Sequence, residues 1–82
     1  MILSASVFPN PATNKIQLKI GDPFLNSYRY LLYDGEGNLL QSAQIRNVIT
    51  EIELGNYPKG FFILTIQNKS RQLKSFKIVK AK

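Results

Sequence analysis

Short apolar segments with a period of two recur along this chain about every ten residues, and they constrain its fold more than any other feature. The clearest segment is Lys15–Ile20, where Ile16, Leu18 and Ile20 alternate with basic or amide side chains. This alternation is typical of a β-strand with one buried face and one solvated face. Helical periodicity is poor throughout. The sequence therefore predicts an all-β fold.

Seven segments of this kind lie between turn signals. The predicted strands are Val7–Phe8, Lys15–Ile20, Tyr28–Tyr33, Leu39–Ile45, Asn47–Leu54, Phe61–Gln67 and Leu73–Lys80. Phe61–Gln67 is apolar on both faces, so we expect it to be central in its sheet. In the fifth strand the side chains expected to face inward are Val48, Thr50, Ile52 and Leu54. Seven short strands in 82 residues favour an immunoglobulin-like antiparallel β-sandwich, with a partly open barrel as the alternative.

The turns between the predicted strands are rich in glycine and proline. Residues 34–38 contain Gly35 and Gly37, which permit the positive φ that a tight hairpin needs. Residues 55–60 form a corner with Pro58 and Gly60. Pro9 and Pro11 fix φ and bend the chain out of the first strand. These residues are expected to shape the domain rather than to perform chemistry.

The hairpin also places oxygen-bearing side chains at alternate positions, as at the start of a calcium loop. Such a loop needs Gly at its sixth position and Glu at its twelfth. The chain has Leu39 and Ile45 there. A plain hairpin is therefore the favoured interpretation, and no metal site is predicted.

The length permits one domain. We expect residues 1–6 to be a linker stub and residues 7–82 to be the folded domain. The longest apolar runs fall well short of the roughly 20 residues that a membrane helix needs. The first residues lack the basic start and the length of a signal peptide. If the domain is exported, an address elsewhere in the protein must direct that step.

The composition argues against several classes of enzyme. The chain has no His, Cys or Trp, which removes the commonest general base, thiol nucleophiles and the commonest transition-metal ligands. Glu51 and Glu53 share a strand face without an opposing acid, which indicates a solvated face. The four tyrosines could form a sugar-stacking platform, but their strand positions favour core packing. We predict that the protein is not an enzyme and uses no cofactor.

The net charge of +6 belongs to the C-terminal end. Residues 1–60 hold five basic and five acidic side chains, whereas residues 61–82 hold six basic side chains and no acid. Lysines on an edge strand can act simply against aggregation. They can also form a docking surface. Nucleic acid is a weak candidate partner, because Phe76 is in phase with Ile78 and is better used in the core than for stacking on a base.

Four segments of the chain carry recognisable motifs in order: Val7–Ile16 with its Pro-Asn-Pro turn, the hairpin Leu32–Leu40, the Pro-x-Gly corner within Leu54–Leu64, and the basic apolar end Phe76–Lys80. Together they resemble one known family, the C-terminal sorting domains of the type IX secretion system of Bacteroidetes. The residues that carry the motifs are Pro9, Asn10, Pro11, Asp34, Gly37, Pro58 and Gly60. The resemblance extends from residue 7 to residue 82.

This resemblance implies a sorting signal fused to the C-terminus of a cargo protein. The implied partners are the type IX translocon and its surface sortase, which commonly cuts just before the domain, here near Ser4–Val7. The implied route leads through the periplasm to the outer-membrane surface or the extracellular space. It implies no nucleic acid and no small-molecule substrate, and we expect a monomer or a weak dimer formed through strand edges.

The final strand is the predicted recognition element, because it would offer an unpaired edge and positive charge. Phe76 and Ile78 are expected to hold it in place, while four lysines are expected to be exposed. The candidate recognition residues are Lys74, Phe76, Lys77, Ile78, Lys80 and Lys82. The alternative function is an immunoglobulin-like adhesion or carbohydrate-binding module.

Overall fold

The computed structural model describes residues 4–22, 27–69 and 71–81, and they form a two-layer β-sandwich. The strands are β1 (Ala5–Phe8), β2 (Lys15–Ile20), β3 (Tyr28–Asp34), β4 (Leu39–Gln44), β5 (Ile49–Glu53), β6 (Gly60–Asn68) and β7 (Arg71–Lys80). All seven predicted strands are confirmed. No helix within these residues is long and apolar enough to cross a membrane.

The strands pair antiparallel in two sheets. One sheet has the order β1-β2-β5 and the other the order β4-β3-β6-β7. β6 is therefore flanked on both sides, as its two apolar faces predict. β7 is an edge strand, paired with β6 through a register that runs from Gly60 opposite Lys80 to Asn68 opposite Arg71. The predicted immunoglobulin-like sandwich class is confirmed.

The core lies between the two sheets and is built from the alternating inward side chains. Every apolar residue of the β2 alternation is fully buried, and β3 and β6 contribute the facing layer. The largest fully buried side chains are Ile16, Leu18, Ile20, Leu32, Ile45, Ile52, Leu54, Leu64, Ile66 and Ile78. At about 25 cal/mol per Å² of apolar surface, burial of these side chains is the main favourable contribution to folding.

Two expectations about strand limits are wrong. Val48, which was expected to face inward, is 49% exposed, because β5 begins at Ile49, two residues later than predicted, and Val48 lies in the preceding bend. Its carbonyl oxygen accepts a hydrogen bond from the Ile20 N–H. β1 starts at Ala5 rather than Val7, so Ala5 and Ser6, which were assigned to the linker, are paired with β2.

The β3–β4 hairpin is closed by the Asp34 carboxylate. It accepts hydrogen bonds from the Glu36 N–H at 2.9 Å and from both the backbone and the side-chain amide of Asn38 at 2.9 and 3.0 Å. These hydrogen bonds lower the pKa of Asp34 below its usual value, with the Asn38 amide as the largest cause. Gly37 has a φ of 88°, as predicted.

Gly35 has a different role from the one predicted. Its φ is not positive. A Cβ at this position would lie 3.2 Å from carbons of the Phe61 ring. The glycine therefore leaves room for an aromatic ring that packs over the turn, which local sequence does not reveal. At the corner after β5, Gly60 has a φ of 145°, a conformation that residues with a Cβ rarely adopt.

Candidate functional site

The candidate site is β7, an edge strand of the four-stranded sheet. Its side chains alternate as expected: Ile78 is buried and Phe76 packs against the core, whereas Lys77 and Val79 face outward. Burial on the inner face falls from Ile78 through Phe76 to Lys74, which is exposed. The first half of β7 therefore extends beyond the cover of the three-stranded sheet.

Two of the predicted cations are exposed, and each lies over an aromatic ring. The Lys77 Nζ is 4.8 Å from the centroid of the Phe61 ring, and the Lys74 Nζ is 5.7 Å from that of Phe76. A cation held over a ring in this way is worth about 0.5–1 kcal/mol at an exposed site. The rings thus limit the positions of the two ammonium groups without removing them from solvent.

Lys80 was expected to be exposed, and this prediction is wrong. Its side chain is only 5% exposed. The Nζ donates a hydrogen bond to the Leu54 carbonyl oxygen at 2.8 Å and another to the Tyr57 carbonyl oxygen. Alternation along β7 places Lys80 in phase with the inward Ile78, so its ammonium reaches the corner after β5. Lys82 lies outside the described residues.

The segment that joins β1 to β2 covers the end of β7. The Asn10 side chain donates to the Lys77 carbonyl oxygen at 2.9 Å and accepts from the Val79 N–H at 3.0 Å. The Ala12 N–H then donates to the Val79 oxygen, and the Ala81 N–H donates to the Ala12 oxygen. The amide of Asn10 therefore stands in for the backbone of a neighbouring strand.

Because of these contacts, only part of the β7 edge is unpaired. Within the described residues, the edge of β7 is open only before Lys77, because Asn10 and Ala12 satisfy the groups that follow. Chain bending is the only role that the sequence predicts for the Pro-Asn-Pro turn. A useful signal was present: between two prolines, which lack N–H groups, Asn10 supplies both a donor and an acceptor.

The tyrosines do not form the sugar-stacking platform that was considered. Tyr28 and Tyr30 are buried in the core, and burial raises the pKa of Tyr30. Tyr33 faces outward on β3, whereas Tyr57 lies at the corner, its ring centroid 5.9 Å from that of Phe62. A shallow groove of about 320 Å³ lies between this corner and the β3–β4 hairpin.

The remaining candidates also have structural partners. Glu51 and Glu53 are exposed, and Glu51 pairs with Lys15 at 3.4 Å, as expected for a solvated face. The motif residues occupy the turns. Pro9, Asn10 and Pro11 border the β7 edge, Asp34 and Gly37 form the hairpin, and Pro58 and Gly60 form the corner that accepts the Lys80 ammonium.

The family model for the secretion system C-terminal sorting domain matches residues 6–81. The chain belongs to this family of type IX secretion sorting domains. No curated protein and no solved structure matches it. As a sorting domain, the chain is a signal for export to the cell surface or the extracellular space.

Proposed function

We propose that the type IX outer-membrane translocon and its surface sortase recognise this domain, and that the domain carries out no catalysis of its own. Membership of the sorting-domain family supports the proposal. The observation that carries it is the C-terminal strand: Lys74 and Lys77 are exposed on an edge strand, and no acid follows Glu53 in the chain. The domain acts as an address for the cargo fused before it.

The anchoring of β7 explains how a strand can serve as a stable address. Ile78 is fully buried, and the Lys80 ammonium is bonded to the corner carbonyls. Lys77 directly precedes the first of these anchors and is therefore presented at a defined position. A charged group held at a defined position raises the rate and the specificity of association more than a mobile one does. In this proposal Phe76, Ile78 and Lys80 position the cations, and Lys74, Lys77 and the terminal Lys82 meet the partner.

The backbone hydrogen bonds of β1 bear on where the sortase cuts. The expected neighbourhood was residues 4–7, but Ala5–Phe8 is paired with β2. The Ser4 oxygen also accepts a hydrogen bond from the Gly21 N–H at 2.8 Å. Proteolysis favours exposed chain whose backbone is not already hydrogen-bonded. We therefore propose that the sortase cuts before Ser4, during the step that moves the protein from the periplasm to the cell surface.

The test uses a fluorescent reporter fused before the domain, with a periplasmic export leader, in a host that has this secretion system. Deleting Leu73–Lys82 would remove a core strand together with the cations. The sharper variant is Lys74→Gln with Lys77→Gln. The matched control is Lys15→Gln with Lys19→Gln, which removes the same charge from the exposed face of the other sheet.

We expect the wild-type fusion at the cell surface and the β7 double variant largely in the periplasm, while the β2 double variant is exported normally. Fractionation and protease shaving of intact cells measure the distribution. If the β7 variant is delivered normally to the cell surface, these lysines serve only to prevent aggregation. Failure of the wild-type fusion to leave the periplasm would refute the proposed function itself.

A further inference from the structure

The outward face of the four-stranded sheet carries an apolar patch at its hairpin end. Tyr33 pairs with Leu39 on one side and with Ile63 on the other, and Phe61 pairs with Val79, so these five side chains lie on the same face. We call them the outer patch. Leu39 is 53% exposed, Phe61 44% and Val79 41%. A contiguous apolar surface of this kind on a small domain is typical of an interaction site.

The outward face of the three-stranded sheet is different. It alternates Lys15 and Lys19 with Glu51 and Glu53, which balance in charge. Its exposed apolar side chains, Phe8 at 42% and Ile49 at 48%, lie on opposite edge strands with β2 between them. This face has the composition expected of a surface in contact with water. The two faces of the sandwich therefore differ in both polarity and net charge, although the same chain builds them.

The charge around the outer patch is positive on its β7 side, whereas the β3–β4 hairpin carries two acids. Lys77 lies within it, over the Phe61 ring, and Arg29 projects from the same face farther along β3. Asp34 is held in the hairpin by its hydrogen bonds with Asn38. Glu36, in the hairpin turn, is the exposed acid that borders Phe61. The strands on the β7 side of the patch contain no acid at all.

The apolar side chains of the outer patch and the positive charge of Lys77 favour some binding partners over others. A second copy of the domain would bring two Lys77 side chains and two molecules of charge +6 together, which is unfavourable. A partner that combines apolar side chains with flanking carboxylates complements both properties of the surface. A bilayer is less suited, because the apolar side chains are half-covered on a strand face and do not project as an amphipathic helix does.

We propose that the outer patch is the docking surface for a protein of the export machinery, and that the partner presents an apolar segment flanked by Asp or Glu side chains. The inference rests on the proposed sorting function and specifies which face of the domain is recognised. Lys77 lies both in the outer patch and among the exposed lysines of β7. It would therefore pair with a partner carboxylate at the rim of the apolar contact.

The experiment compares matched variants of the reporter fusion. Leu39→Thr with Val79→Thr removes apolar surface while keeping residues that strands accept. Lys77→Glu reverses the charge. The controls are Ile49→Thr and Lys19→Glu on the opposite face. Thermal unfolding of the purified domains shows whether each pair is equally stable. We expect each patch variant to lower the rate of surface delivery about tenfold at unchanged stability, as loss of a central interface residue does, and each control to be exported like the wild type.

Several outcomes would overturn the inference. If the patch variants are exported normally while the Lys74 and Lys77 double variant is not, the sorting function stands and this surface is not its docking site. Concentration-dependent dimerisation that Leu39→Thr abolishes, measured by sedimentation equilibrium, would assign the patch to a second copy. Flotation with vesicles containing phosphatidylglycerol that Lys77→Glu abolishes would assign it to a membrane. An unexported wild-type fusion would remove the sorting function and this inference together.

Discussion

Lys80 allows the strongest single test of how the terminal strand is held. Lys80→Met keeps most of the aliphatic side chain and removes the ammonium, which leaves the Leu54 and Tyr57 carbonyl oxygens without their donor. A hydrogen bond from a charged donor contributes about 1.5–3 kcal/mol. Removing a buried charge recovers part of this, because its desolvation cost is also removed. We expect a net loss of about 2 kcal/mol out of a total stability of about 4–12 kcal/mol for a domain of this size.

Urea denaturation followed by far-ultraviolet circular dichroism measures the change, and thermal unfolding should show a midpoint lower by about 8–16 °C. Lys77→Met is the matched control, because it removes an exposed ammonium from the same strand and loses only the contact with Phe61, about 0.5–1 kcal/mol. If Lys80→Met is as stable as wild type, or loses no more than Lys77→Met, the ammonium does not hold the strand to the corner. In export assays Lys80→Met should act through stability, unlike the Lys74 and Lys77 variants.

Three further predictions concern stability. Thr65→Val should raise the thermal midpoint by about 4–8 °C, because the buried Thr65 hydroxyl has no hydrogen-bond partner among the described residues; an unchanged or lower midpoint would indicate a partner for it. Gly35→Ala should destabilise by about 1 kcal/mol as its Cβ displaces the Phe61 ring, whereas Gly55→Ala, whose Cβ meets only the Asn14 oxygen at 4.0 Å, should cost less in the same urea titration. The Asp34 pKa is lowered in the fold, so its stabilising effect is full above the ordinary value of 3.8 and is lost as the pH falls through the folded pKa. Asp34→Ala should therefore be less stable than wild type at pH 7, and the difference should shrink as the pH falls below 3.8; a difference that stays constant in acid would contradict this role.

Most of the fold could be predicted because the period-two alternation is a local signal. The alternation within each strand indicates which of its side chains face the core, and no information from another strand is needed. In β2 the alternation of Ile16, Leu18 and Ile20 fixes the buried face completely. The same signal correctly placed Phe76 and Ile78 inward. Turn chemistry was also local at Gly37, whose positive φ follows from its position in a short hairpin.

The failures share a physical cause, which is dependence on partners distant in sequence. The side-chain space at Gly35 is limited by the ring of Phe61, 26 residues away. Lys80 is buried because the corner after β5 offers it carbonyl oxygens, and charge alone suggested exposure. The alternation along β7 places Lys80 in phase with Ile78, so this pattern correctly predicts that Lys80 faces inward. The general preference of lysines for solvent predicts the opposite and is wrong for Lys80.

The two long-range contacts of β7 together indicate how the strand can be recognised. Asn10 and Ala12 cover the edge from Lys77 onward, and Lys80 ties the same end to the corner. The edge that remains open is short and is interrupted by a register shift opposite Ile66 and Gln67, a feature that discourages strand addition. A partner that adds a strand could use only the beginning of β7. For the proposed recognition, the strongly held end therefore offers the side chains of its outward face, where Lys77 and Val79 lie.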